Sequence, residues 1–371
     1  MNEQAKPRSA LQRWALGSIV AAALLTLLIV GRAFLVPLVL ALLVASIISA
    51  LIERIQRMPK IGKRMPNWLA SVLALLGLVL VLLVLYSLMA EQAEMLMFEG
   101  PAFVQQVQSA LLQIAGAVSE DLQEALEAAF ASLDVAPWFR LAASSLGGVL
   151  VTVVLVTIYV GFLLAERPYM AQKVEQLFPD AQQHARVQAN IQTVRSKVHH
   201  YLVLKTLISA GTGLAIYVVA WCFGLQFALL LGLMTFLLNF IPSVGSIIAT
   251  ALPVLVALVQ FDGLAMVLLV LAVVGTVQFV LGNVLDPMLT GKSLQMSSLA
   301  IIVSLTFWSA VWGVVGMFLA VPLMVIVMII CAQIPALRPV AVMLSKSGCL
   351  DGVTVTATDR ENGLVRVPES P

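Results

Sequence analysis

The sequence predicts an all-α, polytopic helical membrane protein with two broken or re-entrant hairpin segments, and three observations carry that prediction. Of 371 residues, 61% are apolar and 11% are charged, against roughly 45–50% apolar (glycine included) and about 25% charged in soluble domains. Mean hydropathy is +1.03. The apolar residues fall in continuous runs of about 20, the length that crosses a hydrocarbon core as helix; they do not alternate as barrel strands do. So few charges cannot cover this much apolar surface in water. The composition therefore excludes a soluble enzyme, a nucleic-acid module and a disordered chain.

Residues 1–13 form an N-terminal segment carrying Lys6, Arg8 and Arg13. Three spans follow within residues 14–90, at 14–30, 33–52 and 67–90. The first resembles a signal peptide, but it is long for one, no A-x-A-like site follows, and a second apolar run begins at once; it reads as a retained span. Between the second and third spans, residues 53–66 hold Arg54, Arg57, Lys60, Lys63 and Arg64 against Glu53 alone. Residues 91–145 reverse the balance, with eight acids and one base, Arg140. After a fourth span at 146–165, residues 166–205 return to six bases against three acids. An excess of Lys and Arg marks the cytoplasmic side. This places both termini, 53–66 and 166–205 inside, and 91–145 outside.

Neither large loop reads as bare coil. In the outer segment Ser119 precedes Glu120 and Asp121, a helix start that suits both cap and dipole. Leu122, Leu126, Phe130 and Leu133 recur at helical spacing. Trp138 and Phe139 follow Pro137 as an interfacial anchor. In the inner segment, 166–201, Asp180 opens an amphipathic helix with the stripe Val187, Ile191, Val194, Val198 and Tyr201. Its basic face suits anionic lipid headgroups; packing on a neighbouring subunit is the equal alternative.

The C-terminal core, 202–335, opens with a fifth span at 202–223 and contains two long apolar segments with breaks. Residues 226–260 break at Asn239, Pro242, Ser243, Gly245 and Ser246, leaving halves of roughly 24 Å, short for a core of about 30 Å. Two short spans and a re-entrant hairpin both fit. Residues 297–334 break at Gly313 and Gly316. Placing Gly245 on Gly316 also places Pro242 on Gly313. A span at 202–223 precedes the first broken segment, and a span at 263–282, running the other way, precedes the second. That order is an inverted repeat, and paired interrupted segments in the two halves of such a repeat point to a solute site. Close helix packing is the plainer reading of the same glycines.

Residues 206–335 hold three charges, Asp262, Asp286 and Lys292. Gln278, Asn283 and Asp286 fall within about a 140° sector of one helix. A carboxylate at the bilayer centre costs about 2.5–3.5 kcal/mol on insertion scales, so an intramembrane acid is a functional candidate. Asp286 equally suits the cytoplasmic interface, where it would cap a helix or pair with Lys292. Gly291-Lys292-Ser293 is not a phosphate loop, because position 286 is Asp where the first glycine is required. His199 and His200 have no metal-ligand spacing. Cys222, Cys331 and Cys349 imply no disulfide framework. No cofactor or metal is expected, and no constellation supports an enzyme.

Three motifs, in order and spacing, are familiar: Phe240-Ile-Pro-Ser-Val-Gly245, then Gly282-Asn-Val-Leu-Asp286-Pro-Met-Leu-Thr-Gly291-Lys292, then Trp312-Gly-Val-Val-Gly316-Met-Phe-Leu-Ala320-Val-Pro322. Through them the chain resembles the AI-2E (autoinducer-2 exporter) family over about residues 14–340. Ser243 and Ser246 stand where that family often has larger or more rigid residues. The resemblance implies a bacterial inner-membrane transporter of about eight spans, embedded in lipid and homo-oligomeric, with the family architecture suggesting a pentamer. It implies a gradient-driven exporter of a small polar solute such as autoinducer-2. A sodium/lithium–proton antiporter, a passive channel and a non-transporting scaffold are the alternatives. The candidate site is Asn239, Pro242, Ser243, Gly245, Ser246, Gln278, Asn283, Asp286, Gly313 and Gly316; the partner is a solute or ion and not nucleic acid. The polar tail, 345–371, is expected to be disordered and cytoplasmic.

Overall fold

A computed structural model describes residues 10–56, 66–131, 136–261, 263–286, 288, 296–346 and 348. The described residues are helical almost throughout, and their one strand-like feature is an isolated bridge between Met296 and Ser345. Six helices are long and apolar enough to cross a membrane, and three shorter apolar helices accompany them. The chain is thus an all-α, multi-pass membrane protein.

α1 (Ala10–Val30) and α2 (Arg32–Gln56) are separated by a turn at Gly31. α3 (Asn67–Val118) contains the third predicted span but continues for 52 residues, about 78 Å, into what reads as the start of the outer segment. Residues 91–118 are rich in Glu, Gln, Ala, Leu and Met, all good helix formers, so the helix has no reason to stop at Ala90. It ends at Ser119, whose Oγ accepts from the Leu122 amide at 3.2 Å. That cap starts α4 (Glu120–Ala131), with Glu120 and Asp121 in its first turn. No residue of α4 is fully buried; of its apolar stripe Leu122 is exposed, Leu126 and Phe130 are half-buried, and Leu133 lies outside the described residues. α5 (Ala136–Glu166) contains the fourth span; the side chains of Trp138 and Phe139 are outside the description. A 3₁₀ turn (Arg167–Tyr169) and the short α6 (Met170–Leu177) lead to α7.

α7 (Ala181–Cys222) is one helix of 42 residues, about 63 Å, that merges the inner amphipathic helix with the fifth span. Asp180 caps it, its carboxylate accepting from the Gln183 amide at 3.0 Å. The predicted stripe is buried only in its later part: Val198 and Tyr201 enter the core, while Ile191 is exposed. Glu53, at the end of α2, accepts from Arg167 and, at 2.7 Å, from Arg195. These contacts gather the predicted inner segments at one end of the bundle.

The two broken segments are helical hairpins. α8 (Ala228–Leu238) has 11 residues, about 17 Å, and cannot cross a core of about 30 Å. It turns through residues 239–243 into α9 (Val244–Gln260). Gln260 closes the base, donating to the Gly224 carbonyl at 2.6 Å and accepting from the Gln226 amide at 2.8 Å. α10 (Leu264–Phe279) follows and runs into a π-helical turn, Val280–Leu285. α11 (Ser298–Gln333) is broken at Gly313, whose φ of 64° and ψ of −143° only glycine adopts readily. Ser304 Oγ donates to the Ala320 carbonyl at 2.9 Å. In a straight helix those residues would stand about 24 Å apart, so the second arm folds back on the first. α12 (Arg338–Leu344) closes that base, its Leu344 carbonyl accepting from the Ser297 amide at 3.0 Å.

The hairpins enter from opposite ends of α7. The first base follows directly on the Cys222 end. The second is tied to Asn190, whose side-chain oxygen accepts from Gln333 at 3.0 Å. Those points are about 48 Å apart along the helix. Each tip is built on a glycine pressed against its own incoming arm. A Cβ on Gly245 would lie 1.7 Å from the Leu238 carbonyl oxygen, and one on Gly316 would lie 1.9 Å from that of Trp308. Beside Gly245, Ser243 sits at φ 64° and ψ −57°, with the Val244 amide donating to the Pro242 carbonyl at 2.7 Å. This is a γ-turn of the rare, strained kind.

Gly245→Ala and Gly316→Ala are each expected to lose about 2–3 kcal/mol, since the obstruction is backbone. Gly211→Ala and Gly275→Ala, with open space around them, should stay at or above wild type. Ser243→Gly should gain about 1 kcal/mol by relieving the turn. Thermal melting of the detergent-solubilised variants measures all five.

Candidate functional site

α7 presents a polar face to the middle of the C-terminal core. Tyr201, Lys205, Ser209 and Thr212 recur at helical spacing and are all buried. The first hairpin meets this face at its tip. Asn239, 3% exposed, donates through Nδ2 to Ser209 Oγ at 3.0 Å. Close approach makes this possible. Gly213 of α7 lies against Gly232 of α8, and a Cβ on either would be within 3 Å of the other's carbonyl oxygen.

One turn from Ser209, Lys205 Nζ donates to Asp286 Oδ2 at 2.7 Å, with the lysine side chain 6% exposed and the aspartate 22%. Asp286 thus has a buried partner on α7, and the expected partner Lys292 lies outside the described residues. The π-helical turn just before Asp286 sets its direction. Fewer degrees per residue in that turn also alter the register assumed for a regular helix. Gln278 and Asp286 face inward, but Asn283 is exposed.

Gln278 is 4% exposed, and neither of its amide atoms has a hydrogen-bond partner among the described residues. Val274, one turn earlier, shares a core cluster with Ile216, while Asp286 pairs with Lys205. On antiparallel helices this puts Gln278 at the level of Ser209 and Thr212. Ser246 comes alongside from α9, its hydroxyl 3.7 Å from where a Cβ on Gly282 would lie.

The two tips touch each other. Phe240 of the first stacks on Phe318 of the second, with centroids 4.4 Å apart and planes at 29°. Ile241 joins the core built from Leu319, Ala320 and Met324. Trp312, at the second tip, donates to the Leu28 carbonyl of α1 at 2.9 Å. Asn239, Pro242, Ser243, Gly245 and Ser246 thus share one tip, and Gly313 and Gly316 the other. Ser243 and Gly313 are exposed there, while Gly245 and Gly316 are buried.

Sequence reading missed Tyr201, Lys205, Ser209 and Thr212. The available signal was a lysine three residues inside an apolar span; it was grouped instead with the basic residues before it. Among the described residues, no group of three or more His, Cys, Asp or Glu could hold a metal ion.

Comparison with known proteins adds a family. The sequence model of a family described as AI-2E family transporter matches residues 18–336. The AI-2 transport protein TqsA of Escherichia coli K12 is 37% identical over 202 residues, 54% of this chain and 58% of its own length. A putative transport protein of Borreliella burgdorferi is 31% identical over 227 residues, 61% and 62% of the two chains. One from Haemophilus influenzae is 28% identical over 295 residues, 78% and 83%. The chain thus spans about three-fifths of the length of the first two relatives.

A buried amide without partners costs about 1–3 kcal/mol, so Gln278→Leu is expected to match or exceed wild type in melting temperature. If the amide serves a solute, the same variant loses most of its flux. A melting curve and a flux assay on one preparation separate the two effects.

Proposed function

We propose, from the premise that this chain belongs to the AI-2E transporter family, that it is a gradient-driven secondary transporter exporting a small polar solute such as autoinducer-2. One observation carries the reading. Two hairpins that enter from opposite ends of α7 meet tip to tip beside a buried polar face. Paired interrupted helices of this kind place a solute site at the repeat interface, where half-helix ends and side-chain amides bind polar groups without many buried charges. Irregular backbone at membrane depth is tolerated where protein or a cavity satisfies it. The polar groups offered here are Asn239, Ser209, Ser246 and Gln278. Access alternates as the two tips part at their shared contact and close again. The name of the E. coli relative, AI-2 transport protein TqsA, supports autoinducer-2 as the solute.

The alternation of basic and acidic segments supports a bacterial inner-membrane location with both termini cytoplasmic. Broad apolar faces on α1, α3 and α5 are suited to lipid and to further copies of the chain, in keeping with a homo-oligomer such as a pentamer.

Purified protein in liposomes under an imposed proton gradient tests this. Autoinducer-2 efflux should saturate and follow the gradient. Asp286→Asn, which leaves Lys205 buried and unpaired, should lower it by about tenfold or more, and Asn239→Ala by about fivefold. Flux that neither saturates nor follows the gradient would make the protein a passive channel. Sodium- or lithium-driven proton movement without autoinducer-2 flux would make it an antiporter. No flux from folded protein would leave a scaffold.

A further inference from the structure

The geometry points to Lys205 as the residue that selects solute charge: its ammonium fills the cation place at Asp286 and keeps sodium and lithium out of the path past the hairpin tips. This rests on the transport reading of the same site. A carboxylate taken out of water requires a proton, a bound cation or an ion-pair partner. In this core the partner is covalently tethered, 2.7 Å from Oδ2 and almost fully buried. Residues 206–335 contain two acids in sequence, Asp262 and Asp286. Asp262 lies outside the described residues, and Asp286 is the acid in contact with Lys205. Asp286 is thus the acid that this ammonium serves.

The surroundings would otherwise suit a hard monovalent cation. Oxygen ligands are what such ions take. The carboxylate, the Ser209 hydroxyl one turn away on α7, the Asn239 amide bonded to it and the unpartnered Gln278 amide oxygen all lie on this seam. A dissolved cation approaching Asp286 must displace the ammonium or sit beside it, and like charges in a low dielectric repel strongly. With the pair intact the seam has no net charge, and its remaining groups are neutral donors and acceptors. The class of solute it admits is neutral and hydrogen-bonding. Removing the ammonium while keeping the carboxylate converts the same place into a cation site.

The test uses the full chain in liposomes at about pH 9, where a free carboxylate is ionised, with radioactive sodium and autoinducer-2 as probes. Wild type is expected to carry no sodium above protein-free liposomes, and its autoinducer-2 flux should be indifferent to exchanging sodium for potassium. Lys205→Met and Lys205→Gln should each raise sodium uptake by about tenfold or more, as the exposed demand of an unpaired buried carboxylate implies. Lys205→Met combined with Asp286→Asn should abolish that gain. Sodium uptake by wild type overturns the assignment, as does uptake at wild-type level in either folded single variant. Should both variants fail to fold, wild-type melting decides: a rise in melting temperature with sodium over potassium overturns the assignment, and none supports it. A wild type without autoinducer-2 flux, alongside sodium uptake gained by Lys205→Met, would reject that solute and leave the role of Lys205 standing.

Discussion

Within hydrocarbon a peptide group has no water to bond, so a helix that stops there must dispose of its free backbone groups within the protein. This constraint shapes the C-terminal core. Each hairpin meets it by bringing a glycine, Gly245 or Gly316, onto the carbonyl of its own incoming arm, which keeps the tip narrow enough to bury. The tips then rest on each other through Phe240 and Phe318. Asn239, brought inside by the first break, finds its partner on α7, a helix long enough to run past both hairpin bases.

That arrangement explains a face of α7 that would be costly on its own. A buried ion pair gains less from mutual attraction than its charges lose in leaving water, unless its geometry is good. Lys205 and Asp286 hold a short contact, yet two apolar residues would serve stability as well. Gln278 is plainer still, since leucine would fill its place without the loss of two hydrogen bonds. A core assembled for stability alone would contain neither.

Much of this was legible in the residue order. Apolar runs of membrane length and breaks at Pro242–Gly245 and Gly313–Gly316 rest on local chemistry, and local chemistry decided them. Three features depended on more distant relations. α3 runs past Ala90 because nothing in Glu91–Val118, Pro101 included, is strong enough to end a packed helix. Asn283 is exposed while Gln278 and Asp286 face inward, and a π-helical turn lies between Gln278 and Asp286 where residue periodicity assumes a regular helix. Lys205 became visible as a site residue only when the return of α10 carried Asp286 to it across 81 positions. Its composition looked like the end of a basic loop.

The glycines also divide the core mechanically. Gly213 and Gly232 bring the backbones of α7 and α8 so close that a side chain on either would strike the other's carbonyl oxygen. The first hairpin is seated on the long strut by its incoming arm. Gly313 is the opposite case: exposed, in a backbone state that glycine alone tolerates well, with nothing within 4 Å of where a side chain would begin. The second hairpin therefore has a free joint where the first has a clamp. Two halves that look equivalent in chain order are unequal as machine parts, one a fixed jaw and the other a hinged one.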